Sequence, residues 1–217
     1  MVEENKFTAT SGTSIRIKID HVQLDGVLSL PKGAKGIVVF AHGSGSSRFS
    51  PRNSYVAKVI EESGFGTLLS DLLTGQEDRW YENRFNIDLL AQRLASMTLW
   101  LMNETETKGM NLGYFGASTG AAAALQASIG LSDIRAIVSR GGRPDLASPY
   151  LSRVRAPTLL VVGERDEHVL GLNQEALGQI TAEKQLVIVP GASHLFEEAG
   201  ALEEVARLAA HWFIKHL

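Results

Sequence analysis

The spacing of polar and apolar residues changes character along the chain. "TSIRIKI" (Thr13–Ile19) alternates polar and apolar positions, as a half-solvated strand does, and "VQLDGVLSLP", from Val22, predicts its hairpin partner. From Gly36 onward the candidate strands are short continuous apolar runs, which indicate strands buried on both faces of a parallel sheet. These runs are Gly36–Ala41, Gly66–Ser70, Leu112–Gly116, Ile134–Ser139, Pro157–Gly163 and Gln185–Pro190.

Segments with helical spacing of apolar residues separate these runs. They cover about residues 53–64, 85–103 and 118–129, then Leu172–Ile180 and the C-terminal "ALEEVARLAAHWFIKHL". Alternating strands and helices predict a single α/β domain over residues 1–217, with a mostly parallel, doubly wound sheet of about eight strands that starts with an antiparallel hairpin. Because ligands of such sheets bind at the carboxyl ends of the strands, we expect the functional residues in the loops that follow them.

Composition excludes several classes of function. The chain has 217 residues, 44% of them apolar, and a net charge of −3 with scattered Lys and Arg, so we expect no nucleic-acid partner and no membrane surface partner. It contains no cysteine, which excludes disulfides and a thiol nucleophile. No apolar run reaches the roughly 18 residues of a membrane span. The acidic, polar start "MVEENKFTATSG" is unlike a secretory leader, and we expect a cytoplasmic protein.

Ser118 is the first candidate for chemistry. In "GYFGASTGAAAAL" it lies between Gly116 and Gly120, after a predicted strand and before a predicted helix. Glycines at these two places permit a sharp turn that holds a serine hydroxyl above the sheet edge. The pattern alone is weak, because a glycine-rich chain often contains it by chance. Its place between strand and helix favours a nucleophile over a small residue at a turn.

A serine nucleophile needs a base, and the base needs an acid to orient it. "PTLLVVGERDEHV" supplies Glu164, Asp166 and Glu167 directly after a buried strand, and we expect Asp166 to be the acid. "QLVIVPGASHLFEE" supplies His194 after the last strand. The order serine, acid, histidine after successive strands is the order of α/β-hydrolases. Ser118, Asp166 and His194 are therefore the predicted catalytic triad.

"HGSG" follows the first buried strand and predicts an oxyanion hole. We expect the donors to be the backbone N–H of Thr119, next to the nucleophile, and the N–H of Ser44, with Gly45 as the alternative. His42 starts the same motif and is expected to brace the loop rather than to take part in catalysis.

"HGSG", "GASTG", "GERDEH" and "GASHLF" together resemble the α/β-hydrolase superfamily. "HGSGSSRFSPRN" and "VSRGGRPDLA" make the chain more similar to small dienelactone-hydrolase-like proteins, including those found near phosphoribosyltransferases. The resemblance runs from about Ser14 to the end, and implies the fold, a hydrolase and the same triad. The sequence departs from true dienelactone hydrolases, which use a cysteine nucleophile. An ordinary carboxylic-ester hydrolase is the better expectation.

Other segments bear on the substrate. The segment "RGGRPDLASPYLSRVRA" is too short for a cap domain, so we expect a shallow, open site. "DRWYENRF" brings Trp80, Tyr81 and Phe85 to a long loop that either walls an acyl pocket or covers the core. No motif for a cofactor or a metal is present, and neither is expected.

Four arginines are predicted in loops at the carboxyl ends of the strands: Arg48, Arg52, Arg140 and Arg143. One interpretation is that their guanidinium groups hold an anionic part of the substrate. The alternative is loop ion pairs with acids such as Asp71, Asp145 or Glu82.

Two functions therefore remain open. The first is a serine hydrolase that cleaves carboxylic esters of small substrates, with thioesters as a related class. The second is a binding or regulatory protein of the same fold whose triad turns over poorly or not at all, since fold does not fix function.

Overall fold

The computed structural model describes residues 12–217. The strands in this part of the chain are β1 (Thr13–Ile19), β2 (Val22–Ser29), β3 (Gly36–Ala41), β4 (Gly66–Ser70), β5 (Asn111–Ala117), β6 (Ile134–Arg140), β7 (Thr158–Gly163) and β8 (Lys184–Val189). The α-helices are α1 (Pro51–Glu62), α2 (Ile87–Asn103), α3 (Thr119–Ala127), α4 (Glu167–Gln179) and α5 (Ala201–His216). Short 3₁₀ segments cover Glu77–Arg79, Tyr81–Phe85, Ser128–Gly130 and Pro144–Arg153.

The strands form one eight-stranded sheet in the order β1-β2-β4-β3-β5-β6-β7-β8. β1 pairs antiparallel with β2, and β2 pairs antiparallel with β4. Every pair from β4–β3 to β7–β8 is parallel. This arrangement confirms the predicted α/β-hydrolase fold with its antiparallel start. The 3₁₀ segment Pro144–Arg153 spans most of the distance from β6 to β7, and no cap domain is evident in the part of the chain that the structure describes.

Apolar helices cover both faces of the sheet, which explains the continuous apolar runs of the central strands. Tyr114 and Phe115 are neighbours on β5 and belong to different buried clusters, one on each face. The cluster around Tyr114 packs against α2, α3 and the end of α4, and the cluster around Phe115 packs against α1 and α5. A strand between two such layers has no side that faces solvent, so its sequence does not alternate apolar and polar residues.

Two predicted elements differ from the structure. α4 begins at Glu167 and not at Leu172, because the polar residues of its first turn and Gly171 hide the helical period there. β8 is half exposed, so the expectation that it is buried on both faces was wrong. It is an edge strand that pairs only with β7 among the described strands, which leaves Ile188 open to solvent.

None of the helices over residues 12–217 combines the length and the apolar character that a membrane crossing requires.

Candidate active site

Ser118 occupies a sharp turn between the end of β5 and the start of α3. Its backbone has φ 51° and ψ −121°, a conformation that costs a non-glycine residue about 1–3 kcal/mol. The flanking glycines make the turn possible, since a Cβ on Gly116 would lie 2.4 Å from the Cα of Ala121. A Cβ on Gly120 would lie 2.2 Å from the carbonyl oxygen of Ala41. Both glycines are therefore required by close backbone packing, and together they hold the serine in a strained position.

The backbone of this turn is tied to the segment after β6. The N–H of Ser118 donates to the carbonyl of Arg140 at 3.2 Å, and the N–H of Arg143 donates to the carbonyl of Ser118 at 3.1 Å. The N–H of Ala121 also donates to the Ser118 carbonyl, at 3.1 Å. Within residues 12–217 the Ser118 hydroxyl itself makes no hydrogen bond.

Asp166 and His194 meet at the same end of the sheet. Nδ1 of His194 lies 2.5 Å from Oδ2 of Asp166, and the Asp166 side chain is 14% exposed. Asp166 precedes α4 as its N-cap residue, yet its carboxylate makes no capping bond and turns to the histidine instead. The imidazole packs against the segment after β6, since a Cβ on Gly141 would lie 3.4 Å from Nδ1 and from Cε1 of His194. This places the histidine beside the segment that anchors Ser118.

Two further acids hold the loop that carries His194. Oε2 of Glu164 accepts the N–H of Gly191 at 2.7 Å, and Oε2 of Glu198 accepts the N–H of Ser193 at 3.0 Å. The Ser193 N–H lowers the pKa of Glu198. Glu164 was one of the acids considered beside Asp166, and its contact assigns it to the loop backbone. Sequence reasoning missed Glu198, although its place four residues after the histidine was visible.

The loop "HGSG" closes over the start of α3. The N–H of Ser46 donates to the carbonyl of Gly43 at 3.1 Å, and the N–H of Ser44 donates to Oγ1 of Thr119 at 2.9 Å. Ser44 is thus already engaged, whereas the N–H of Gly45 donates to nothing in residues 12–217. Thr119 opens α3, so its own N–H has no acceptor within the helix. A cavity of ≈ 10 Å³ lies beside these groups, room for about one water molecule.

His42 braces this loop, as its sequence position predicted. The N–H of Leu72 donates to Nε2 of His42 at 3.1 Å, so Nε2 is unprotonated and the proton lies on Nδ1. Nδ1 in turn donates to the carbonyl of Gly43 at 3.0 Å. Burial lowers the pKa of His42, and the neutral ring links β3 to the segment after β4. With both nitrogens engaged, His42 has no free nitrogen for catalysis.

Comparison with known proteins shows the family of the chain. The sequence profile of the Dienelactone hydrolase family matches residues 24–213. The chain belongs to the dienelactone hydrolase family. A solved structure of a dienelactone hydrolase from Anabaena variabilis ATCC 29413 is 51% identical, with a TM-score of 0.92 over 95% of this chain and 98% of that one. Est1E from Butyrivibrio proteoclasticus shares the fold at 16% identity, with a TM-score of 0.80 over 94% of this chain and 98% of that one.

Two curated relatives come from Mycobacterium tuberculosis, strains CDC 1551 / Oshkosh and ATCC 25618 / H37Rv, and carry the provisional name phosphoribosyl transferase. Each is 55% identical over 204 residues, which cover 94% of this chain and 46% of the relative. This member of the dienelactone hydrolase family therefore spans about half the length of the curated relatives it matches. The family match and the structural neighbours support a hydrolase.

The four predicted arginines have different surroundings in this dienelactone hydrolase family member. Arg48 forms ion pairs with Asp71 and with Asp25, and Arg143 forms a bidentate pair with Asp145 at 2.8 and 2.7 Å. For Arg48 and Arg143 the ion-pair interpretation is the one the structure supports.

Arg52 and Arg140 have surroundings unlike those of Arg48 and Arg143. Arg52 reaches Glu197 at 3.2 Å, a partner that sequence reasoning did not consider. Arg140 is 8% exposed, and its Nε and Nη1 lack hydrogen-bond partners in the described residues. Burial, together with the nearby charge of Arg52, lowers the pKa of Arg140 to about 10, so the guanidinium remains charged at neutral pH.

The aromatic residues of the long loop after β4 do not cover the core. Trp80 and Tyr81 are 67% and 66% exposed, and Phe85 packs against Tyr81 with ring centroids 5.1 Å apart. Sequence reasoning missed Arg84, which forms a bidentate pair with Asp78 at 2.9 Å and lies next to Gly45. This loop therefore lies beside the "HGSG" loop, and Trp80 and Tyr81 are largely exposed to solvent.

No group of three or more His, Asp or Glu side chains within the described residues has a geometry suited to a metal ion.

Proposed function

We propose that this protein is a serine hydrolase that cleaves carboxylic esters of small substrates through an acyl-enzyme. The observation that carries the proposal is the 2.5 Å contact between Asp166 and His194, at the sheet end where Ser118 occupies its strained turn. A histidine at the surface and an aspartate at a helix N-terminus have no structural reason to contact each other. An aspartate that leaves its own helix uncapped to contact a histidine is the arrangement that orients a general base.

Each residue of the proposed triad has its own role in the reaction. The Ser118 hydroxyl oxygen attacks the ester carbonyl carbon, while Nε2 of His194 takes the hydroxyl proton and Asp166 holds Nδ1–H. The same proton then passes to the departing alcohol, and the acyl group remains on Ser118. A water molecule gives a proton to Nε2 and attacks the acyl carbon, which releases the acid and restores the serine.

The negative oxygen of each tetrahedral intermediate needs backbone donors. The Thr119 N–H at the positive end of α3 is the first donor. For the second donor, the bond from Ser44 to Thr119 favours Gly45, because the Gly45 N–H has no acceptor among residues 12–217 and the Ser44 N–H already donates to a hydroxyl. Ser44 serves in this role only where its N–H is bifurcated between Thr119 and the substrate oxygen.

The surroundings favour small acyl groups. The cavity beside the oxyanion loop has a volume of ≈ 10 Å³, and residues 12–217 contain no cap that would enclose a long acyl chain. Trp80 and Tyr81 are exposed and offer flat apolar contact to the part of a substrate that projects outward. Thioesters follow the same chemical route as esters. Neither class requires a cofactor.

The transferase name of the curated relatives describes chains of which this protein matches 46%. The candidate nucleophile, base and acid all lie inside that share. We therefore assign hydrolysis to this segment, and phosphoribosyl transfer is not part of the proposal for it.

Labelling with a fluorophosphonate probe, together with turnover of p-nitrophenyl acetate, tests the proposal in the wild type and in Ser118→Ala. The wild type is expected to be labelled and to hydrolyse the ester, and the variant to do neither. A folded wild type that resists the probe favours the alternative of a binding or regulatory protein. Labelling that survives in Ser118→Ala assigns the nucleophile to another residue.

A further inference from the structure

Arg140 is the one arginine among the four at this end of the sheet whose side chain makes no hydrogen bond within residues 12–217. It is the last residue of β6 and is 8% exposed, with Nε and Nη1 fully buried. A guanidinium group does not lose its proton in proteins, and a buried charge without a partner is strongly unfavourable. A buried guanidinium with unused donors is therefore a candidate for binding an anion.

The charged side chain that acts on Arg140 is a second arginine. Arg52 acts on it electrostatically, and Nε of Arg52 is also buried without a partner. Arg52 stands in the first turn of α1, at the positive end of the helix dipole. The carboxylate of Glu197 contacts Arg52 through a single bond of 3.2 Å, and the Glu197 side chain is 64% exposed. Such a carboxylate is free to move away when another anion arrives.

Arg140 lies next to the backbone of the candidate nucleophile. The carbonyl of Arg140 accepts the N–H of Ser118, and the next residue, Gly141, packs against the ring of His194. An anionic group bound by Arg140 is thereby held beside the segment that supports both reacting side chains. An ester whose anionic group occupies this place has its carbonyl restricted to the neighbourhood of Ser118.

We propose that Arg140 and Arg52 form a binding site for a phosphate group, and that the preferred substrates are small esters that carry a phosphate. The second half of this inference rests on the proposed esterase function. A phosphate monoester has about −1.5 to −2 charges at neutral pH and three acceptor oxygens, which suits two guanidinium groups. A carboxylate brings one charge and two oxygens, fewer than the unpaired donors of Arg140 and Arg52 require.

Binding is tested first, without any use of catalysis. Calorimetric titration of inorganic phosphate into the whole protein compares the wild type with Arg140→Gln, Arg52→Gln and the control Arg135→Gln, an exposed arginine on the same strand. The first two variants are expected to bind phosphate about tenfold more weakly or worse, and the control to match the wild type. Equal binding in all four proteins, or none in the wild type, overturns the site. Arg52→Gln keeps the test available if Arg140→Gln fails to fold.

Substrate preference is tested with three matched acetate esters: of 2-hydroxyethyl phosphate, of 3-hydroxypropanoate and of 2-methoxyethanol. The wild type is expected to show a kcat/KM about tenfold or more higher for the phosphate ester than for the neutral ester. Arg140→Gln is expected to lose that preference, and Arg135→Gln to keep it. Phosphate binding without this preference assigns the site to free phosphate and overturns the substrate class. A preference for the carboxylate ester overturns the choice of phosphate.

Failure of the esterase proposal appears separately, as absence of turnover of all three esters in a protein that still binds phosphate.

Discussion

The N–H of Ser44 and the hydroxyl of Thr119 form a 2.9 Å hydrogen bond between residues 75 positions apart in the chain. One belongs to the loop after β3 and the other begins the helix after the candidate nucleophile. The bond fixes the distance between the two sets of backbone donors proposed to stabilise an oxyanion. Thr119 is therefore expected to act twice, through its own N–H and through the acceptor that positions the loop.

Removal of that acceptor is expected to slow the chemical step. Thr119→Val keeps the shape of the side chain but leaves the Ser44 N–H without its partner, and kcat for p-nitrophenyl acetate should fall by about 10-fold or more with little change in KM. Thr119→Ser restores the hydroxyl and should recover most of the loss. A Thr119→Val enzyme with wild-type kcat contradicts the positioning role.

Asp166→Asn is expected to reduce kcat by about 10³- to 10⁴-fold while the fold persists. The amide keeps the size of the carboxylate but no longer favours the required tautomer of His194. Glu167→Gln is the matched control, since Glu167 is the exposed neighbour in the same turn of α4 and should leave kcat unchanged. Steady-state kinetics on both variants, with circular dichroism as the test of folding, distinguishes the two acids. Equal losses in both variants argue against Asp166 as the orienting acid.

The strain at Ser118 is expected to appear as a gain in stability when it is relieved. Ser118→Gly and Ser118→Ala both remove the hydroxyl, yet only glycine adopts φ 51° without steric cost. The free energy of unfolding of Ser118→Gly should exceed that of Ser118→Ala by about 1 kcal/mol, as measured by urea denaturation. Equal stability of the two variants means that the turn is not strained in solution.

Gly120, two residues after the candidate nucleophile, tests the packing of the turn. Gly120→Ala places a Cβ 2.2 Å from a backbone oxygen of β3, and should lower the free energy of unfolding by about 3 kcal/mol or prevent folding. Gly171→Ala is the matched control within α4, where nothing lies within 4 Å of the added carbon. It should raise the free energy of unfolding by about 0.5–1 kcal/mol. Thermal denaturation should show a lower Tm for Gly120→Ala and a higher Tm for Gly171→Ala than for the wild type. Changes of Tm with the same sign in both variants contradict the packing described here.

The buried neutral state of His42 predicts a loss of stability in mild acid. Its pKa is lowered by burial, so as pH falls below about 6.5 the unfolded chain takes up a proton that the folded protein refuses. The free energy of unfolding should then decrease by at most about 1.4 kcal/mol per pH unit on account of this residue, until the lower native pKa is reached. Urea denaturation between pH 7.5 and 5.5 should show a steeper decrease in the wild type than in His42→Gln. If the free energy of unfolding decreases equally in both proteins, His42 is not the buried neutral group described here.

Several features of the site were predictable because they depend on short stretches of sequence. Ser118, Asp166 and His194 each follow an apolar run, and the carboxyl ends of parallel strands meet at one edge of the sheet. Local signals were weaker where an element lies at the margin of the fold. The first turn of α4 is polar and directly follows the candidate acid, so its periodicity did not predict a helix there.

The sequence by itself determined the order of strands and helices, the doubly covered sheet and the positions of the candidate triad. These depend on runs of apolar residues and on glycines that only a tight turn requires, which are properties of neighbouring positions. The tertiary structure alone decided which arginines are paired, that Ser44 is bound by Thr119, and that β8 is an edge strand. Arg48, Arg52, Arg140 and Arg143 look alike in the sequence, because the carboxylate that neutralises an arginine, or its absence, depends on segments far apart in the chain.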